Sequence, residues 1–264
     1  MFNYKSTGEY EPVNIIENFN ADIKFVSNAL CLICLRPNKI WCNFLNDFIN
    51  YKIFIIIDDN NFDYTELQNI YTNISFIKID NSKCKANYYF NVNTMINKLI
   101  SGWDKALYYF SIENTIYDFI WFLEDDVFFY NENVLFNIDK KYSNADLISR
   151  KCNINTSGKK INKWHWKKID INYELPYYNG MMCIVRLSKK MLNCINVYAK
   201  ENKTLFFLEA LFPTVAIKNN LIHNSPIEFE NIYYRHNITK EQVNKVWLYH
   251  PVKDMNDHIV FRKL

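Results

Sequence analysis

Two rhythms of apolar and polar positions alternate along this chain. Residues 29–35 (ALCLICL) form an unbroken apolar run, the mark of a strand buried on both faces. Pro37 follows where a turn into a helix is expected, and residues 39–49 carry Ile40, Phe44, Leu45 and Phe48 at helical spacing. Residues 52–57 (KIFIII) are a β-branched and aromatic run that ends in Asp58, Asp59, Asn60 and Asn61. A third strand is predicted over 73–79, closed by Asp80. Residues 94–110 read as a helix despite Gly102, and 117–122 as a fourth strand running into Glu124, Asp125 and Asp126.

This alternation predicts an α/β fold with a mostly parallel central sheet flanked by helices. In such sheets ligands bind outside the carboxyl ends of the strands, and here several strands deliver acids to that edge. The second half is less regular. Strands are expected at 145–149 and 181–187, separated by a polar, Lys-rich loop and the aromatic residues Trp164 and Trp166. Helices are expected at 189–198 and 205–218, the second interrupted by Pro213. No repeat, low-complexity linker or domain boundary divides the chain, so a single domain over 1–264 is expected, with 1–28 as an N-terminal extension.

Composition narrows the chemistry. The 264 residues are 49% hydrophobic and 22% charged, a globular balance, and a net charge of +3 points away from nucleic acid as a partner. Only four glycines occur, Gly8, Gly102, Gly158 and Gly180, which excludes both a GxGxxG fingerprint and a Walker A loop. Any nucleotide must be held in some other way. Seven cysteines, an odd number lying mostly in apolar runs, suit a reducing compartment, and a cytoplasmic location is expected. Cys31 and Cys34 sit three apart in a strand, so they face opposite ways and cannot share a metal. The first residues lack the apolar centre of a signal peptide, and no run approaches the ~18 apolar residues of a membrane span.

The densest local signal is the apolar run 119–123 closing on Glu124, Asp125 and Asp126. Three adjacent carboxylates repel one another, and each is costly to bury without a cation. Strand alternation puts Glu124 and Asp126 on one face and Asp125 on the other. A divalent cation bridging to phosphate oxygens would resolve the repulsion. A solvated strand end is the alternative.

This segment resembles the DxD region of GT-A fold glycosyltransferases, in the Glu-Asp-Asp form of inverting N-acetylglucosaminyltransferases. The preceding helix, from Trp103 through Asp104 and Lys105 to Phe110, is similar to glycosyltransferase-like proteins of large DNA viruses, which would place the chain in a host cytoplasm. The resemblance runs patchily from about Ala29 to Lys253. It implies a single GT-A (Rossmann-like) domain with a nucleotide-binding half over 29–130 and an acceptor-binding half over 131–264. It implies a metal-dependent transfer, with Mn²⁺ or Mg²⁺, of a hexosyl or N-acetylhexosaminyl group. The donor would be a nucleoside-diphosphate sugar, a UDP-sugar by preference, and the acceptor a glycan or other hydroxyl. Carried over residue by residue, Asp126 would ligate the metal, and Glu124 and Asp125 would contact the donor. Arg36, Asp58 and Asp59 would border the nucleotide, with Asp104 and Lys105 among the donor contacts. His250, near the C-terminus, would complete the metal site, and Lys253 would reach the diphosphate. An imidazole among oxygen ligands favours Mn²⁺ over Mg²⁺.

An inverting transfer needs one carboxylate to deprotonate the acceptor hydroxyl. Glu209 is the only acid between Leu205 and Lys218, in an apolar setting that raises a carboxyl pKa toward that of a base. It stands where the family carries its late acidic base, although the usual pair of acids is reduced here to one; a helix-start carboxylate is the alternative. Trp164, His165, Trp166, Tyr178 and Asn179 are candidate sugar or acceptor contacts, against the commoner fate of aromatic residues in a core. A nucleotidyltransferase is a competing reading, but residues 35–38 (LRPN) lack its glycine-rich phosphate loop. A non-catalytic carbohydrate- or partner-binding module is another. Glu124, Asp125, Asp126, Glu209 and His250 occurring together speak against it.

Overall fold

The computed structural model describes residues 27–93, 99–160 and 164–264. The strands are β1 (Asn28–Cys34), β2 (Lys52–Ile57), β3 (Ile74–Lys78), β4 (Phe119–Glu124), β5 (Phe128–Phe129), β6 (Leu147–Ile148), β7 (Asn153–Asn155), β8 (Tyr177–Asn179), β9 (Ile184–Ser188), β10 (His223–Asn224), β11 (Asn231–Ile232) and β12 (Leu248–His250). The α-helices are α1 (Lys39–Asn46), α2 (Thr65–Ile70), α3 (Asn81–Ala86), α4 (Gly102–Tyr108), α5 (Glu132–Lys141), α6 (Lys189–Asn202), α7 (Leu208–Lys218) and α8 (Met255–Phe261).

Seven strands form the central sheet in the order β10-β6-β9-β4-β1-β2-β3. β4, β1, β2 and β3 are mutually parallel, and β9 runs antiparallel to both β4 and β6. Successive residues of β1 supply two different cores. Ala29, Cys31 and Ile33 pack with α4, α6 and α7, whereas Leu30, Leu32 and Cys34 pack with α1, α2 and α5. Helices therefore cover both faces, as the continuous apolar runs required. Cys31 and Cys34 fall into separate cores, in agreement with their spacing. A smaller sheet, β11-β12-β5, and α8 close a third apolar cluster around Phe128, Tyr249, Val252 and Phe261.

β1 connects outward through α1 to β2, while β4 pairs with its other edge. The boundary between β1 and β4 is thus a topological switch point, the place at the carboxyl ends where open α/β sheets bind their ligands. Ile33 of β1 lies opposite Glu124 of β4, so the acid motif begins at this switch point.

The predicted helix over 94–110 is corrected. Residues 94–98 lie outside the described segments, and the α-helix starts at Gly102 and passes into a π-turn over Tyr109–Glu113. Ser101 and Asp104 form a capping box at its start. Gly102 is needed there by close approach: a Cβ would lie 2.6 Å from Ile33 Cγ2 and 3.4 Å from Asp58 Cβ. Without that Cβ, α4 closes directly over the carboxyl ends of β1 and β2.

Candidate functional site

Glu124, the last residue of β4, and Asp126 in the turn beyond it converge with His250 of β12. One ligand atom from each lies within 4.8 Å of the other two. The alternation read from the sequence therefore holds through the strand end. It also places Glu124 beside Asp126 as a third potential ligand, and not only as a donor contact. His250 is carried in by the small sheet, where Val252 N–H donates to Asp126 O at 2.7 Å and ties the tail to the acid turn.

The orientation of the imidazole follows from its partners. His250 Nδ1 lies 2.6 Å from the Tyr233 carbonyl, which can only accept, so Nδ1 carries the hydrogen. Nε2 then points at Asp126 Oδ1, 3.3 Å away. Asp126 Oδ1 is shielded from solvent and has no hydrogen-bond donor other than this imidazole. A neutral Nε2 would direct a lone pair at a carboxylate. The contact is satisfied either by a proton or by a cation between the two groups. Carbonyl-fixed histidine plus two carboxylates is a donor set that fits a divalent ion of intermediate hardness.

Electrostatics within the cluster are consistent with this. Burial, then the charge of Asp126, raise the Glu124 carboxyl to about 7, against the lowering effect of its Trp103 hydrogen bond. Asp125 is raised by burial and by Asp126. Burial alone would lower His250, but its hydrogen bond to Asp126, that carboxylate's charge, the Tyr233 carbonyl and Glu124 together raise it. Glu209 reaches about 7, chiefly through burial, with Trp164 hydrogen-bonding to it and Glu124 opposing ionisation.

Glu209 sits in the first turn of α7, half-buried, on the side of the cluster where the charges of both Glu124 and His250 act on it. Pro213 explains how this helix is held. It lacks the N–H that would bond the Glu209 carbonyl one turn back, and Gly180 N–H takes that place at 3.0 Å. Thr214 Oγ1 meanwhile accepts from Tyr178 N–H at 3.1 Å and donates to the Tyr178 carbonyl at 3.2 Å. The segment around β8 is thereby fastened along α7. The proline that appeared to break the helix instead frees a carbonyl to anchor it.

The remaining candidates separate into several environments. Arg36 is exposed, its Nε and Nη2 both 2.7 Å from Asp59 Oδ2, with its guanidinium 5.9 Å from the Phe62 ring centroid. Lys105 is only 1% exposed and reaches under the end of β2. Its Nζ donates to the Asp58 carbonyl at 2.6 Å and to Asn60 Oδ1 at 2.9 Å, and pairs with Asp58 Oδ1 at 3.2 Å. Asp104, expected as a donor contact, is fully buried and accepts from the N–H groups of Val92 and Ser101 and from the Ser101 hydroxyl, so it holds the entry to α4 and is not a donor contact. Trp164 adopts a left-handed backbone, φ 62°, and packs against Trp166 and Phe207 with ring centroids 4.5 and 5.8 Å away. His165 is exposed beside them, Trp166 is buried, and Tyr178 and Asn179 are half-buried in β8. Lys253 lines a cleft of about 470 Å³ together with Tyr234, Arg235, His236 and Pro251, residues that follow Tyr233 and His250 in the chain.

Sequence reasoning missed the residues that orient the acids. Trp103 Nε1 donates to Glu124 Oε1 at 2.7 Å, Trp41 Nε1 donates to the Asp125 carbonyl at 2.8 Å, and the Tyr233 carbonyl fixes His250. The usable signal was that a buried indole N–H must find an acceptor.

No protein-family model and no curated protein matches the chain. Among solved structures, it is similar to 4-diphosphocytidyl-2C-methyl-D-erythritol synthase from Anaerococcus prevotii, at 7% identity and a TM-score of 0.44, over 76% of this chain and 86% of that one. It is also similar to mouse xyloside xylosyltransferase 1 in its apo form, at 10% identity and a TM-score of 0.37, over 75% of this chain and 85% of that one. Neither likeness carries chemistry to this chain.

The raised groups have a consequence for stability. Glu124 and Glu209 titrate near 7 when folded, against 4.5 for the ordinary group, and buried Asp104 near 6 against 3.8. The folded state therefore binds more protons than the unfolded one between about pH 4.5 and 7. Their contribution is full below that window and is lost as pH rises through it. Raised His250 acts in the same direction. His223 and His258, lowered by burial to about 4 from 6.5, act the other way: the unfolded state binds more protons at these two, so they add stability as pH rises from about 4 to 6.5. The lowered carboxyls Asp59, Asp63 and Asp80 lose their contribution only on acidification below their ordinary range. In chelator, the urea midpoint is expected to fall from pH 6.5 to pH 8, where the lowered histidines are already neutral in both states, by an amount on the order of 1 kcal/mol in stability. A midpoint that rises over that range would contradict the placement of these acids.

Proposed function

We propose that this protein is a divalent-metal-dependent glycosyltransferase of the GT-A type, moving a sugar from a nucleoside-diphosphate sugar to a hydroxyl acceptor with inversion. The observation that carries the reading is the convergence of Glu124, Asp126 and His250 at the β1–β4 switch point, with Glu209 beside them. In this reading Glu124, Asp126 and His250 hold the cation, with Mn²⁺ favoured by the imidazole. The bound cation supplies the positive charge that offsets the diphosphate leaving group. In the same reading Lys253 adds a further positive charge for the diphosphate. Arg36, Asp58 and Asp59 border the nucleotide, and Asp125 contacts the donor sugar.

Glu209 takes the proton from the acceptor hydroxyl as that oxygen attacks the anomeric carbon. Its near-neutral carboxyl is matched to that task, since a base works best with a pKa close to the working pH. Trp164 and His165 offer a surface on which an acceptor sugar can lie. The nucleotide side falls within 29–130 and the acceptor side within 131–264.

The test is a panel of nucleoside-diphosphate sugars with Mn²⁺, read as nucleoside diphosphate released with and without simple glycoside acceptors. Release of nucleoside diphosphate from one donor, UDP-sugars first, is expected, and chelator should stop it. Release of pyrophosphate from a nucleoside triphosphate would instead identify a nucleotidyltransferase.

A further inference from the structure

The acid turn is held from both faces of the sheet by indole N–H groups. Trp41 belongs to α1 on one face and bonds the Asp125 carbonyl, fixing the backbone of the turn. Trp103 belongs to α4 on the other face and bonds the Glu124 side chain itself, at 2.7 Å. This second contact is a charge-assisted hydrogen bond made inside the fold, where such bonds are short and strong. Trp103 is only 2% exposed, and its ring packs between Phe122 and Phe212, with centroids 6.2 and 5.8 Å away. The ring has little room to turn, so its N–H is an aimed donor.

The aim matters because of what Glu124 faces. A carboxylate with Asp126 as a close neighbour is pushed away by like charge and would swing its free oxygen out of the cluster. Anchoring Oε1 to a rigid indole leaves the remaining oxygen as the one available to join Asp126 and His250. Gly102 lets α4 approach the strand ends closely enough for the indole to reach. From this geometry we infer that Trp103 is a positioning residue for the cation site, holding Glu124 in a ligating pose before any ion arrives. The inference rests on the metal-site reading above and adds to it the residue that preorganises the site.

Two substitutions separate positioning from packing. Trp103→Phe keeps an aromatic ring in the core but deletes the donor. Trp103→His gives up more apolar surface but retains a donor, because imidazole Nε2 falls at the same position in the ring as indole Nε1. The readout is the affinity for Mn²⁺ alone, followed by loss of the free-ion electron paramagnetic resonance signal, with melting temperature measured in parallel. Removing an orienting partner of a metal ligand typically costs 10–100-fold in affinity, and that loss is expected for Trp103→Phe. The two rankings should cross, with Trp103→Phe the more stable protein and Trp103→His the better Mn²⁺ binder. Phe212→Leu, which disturbs the same packing and leaves the hydrogen bond, should melt earlier and bind Mn²⁺ nearly as the wild type does. Unchanged affinity in Trp103→Phe, or affinity that simply follows melting temperature across the set, would overturn the positioning role. Absence of Mn²⁺ binding by the wild type would overturn the metal reading itself and the inference with it.

Discussion

Glu209→Gln is expected to lose 10²–10⁴-fold in turnover while donor binding stays nearly intact. General-base catalysis contributes a factor of this size, about 3–5 kcal/mol of barrier. The glutamine keeps the size of the side chain and its hydrogen-bonding capacity, but it cannot take a proton. The position of Glu209 on α7 does not depend on its carboxyl. It is set by the helix, by Gly180 N–H on its carbonyl and by Thr214 on the β8 segment, so the fold should be retained. In the wild type the rate should rise with pH through an acid limb near 7, where this carboxyl titrates, and that limb should vanish in the variant. Product configuration, read by proton NMR, should be opposite to that of the donor. A variant at nearly full rate, or retained configuration, would return Glu209 to the role of a helix-start carboxylate.

Asp126→Ala should abolish stabilisation by Mn²⁺ plus a nucleoside diphosphate. Ligand linkage gives about 2.7 kcal/mol at 100 times Kd, which for a chain of this size is a melting shift on the order of 5–10 °C. Asp126 contributes the shielded oxygen facing His250 Nε2, and no other donor in the described residues satisfies that oxygen. Without ligand the variant should be at least as stable as the wild type near pH 8, because one of three mutually repelling carboxylates has gone. A melting shift equal to that of the wild type would remove Asp126 from the cation site. The two experiments read different halves of the chemistry: Glu209→Gln should keep the Mn²⁺ shift that Asp126→Ala loses.

The acid turn and the strands that lead to it were legible because their signals are local. β2 lies where its β-branched run placed it. β1 matches an apolar segment within a residue at either end. Both faces of these strands are buried, so every position must be apolar and the run itself marks the element. The facing of Glu124 and Asp126 followed from strand alternation alone.

Elements at the margins were less readable. Apolar residues ahead of Ser101 extended the helical spacing and hid the capping box that starts α4. Pro213 could be read only as an interruption, since the group that replaces its missing N–H, Gly180, lies far away in sequence. The direction of β9, antiparallel within a mostly parallel sheet, leaves no mark on its own composition.

The sequence by itself determined the α/β class, the strand cores and the presence of an acidic turn with crowded carboxylates, because periodicity and like-charge repulsion act between near neighbours. Only the tertiary structure decided which distant groups meet that turn. His250 arrives through a second sheet, its tautomer is set by a carbonyl that no side-chain pattern reveals, and Trp103 reaches Glu124 because a glycine lets one helix settle against β1. Such encounters depend on the register of packed elements, which a short window of sequence does not contain.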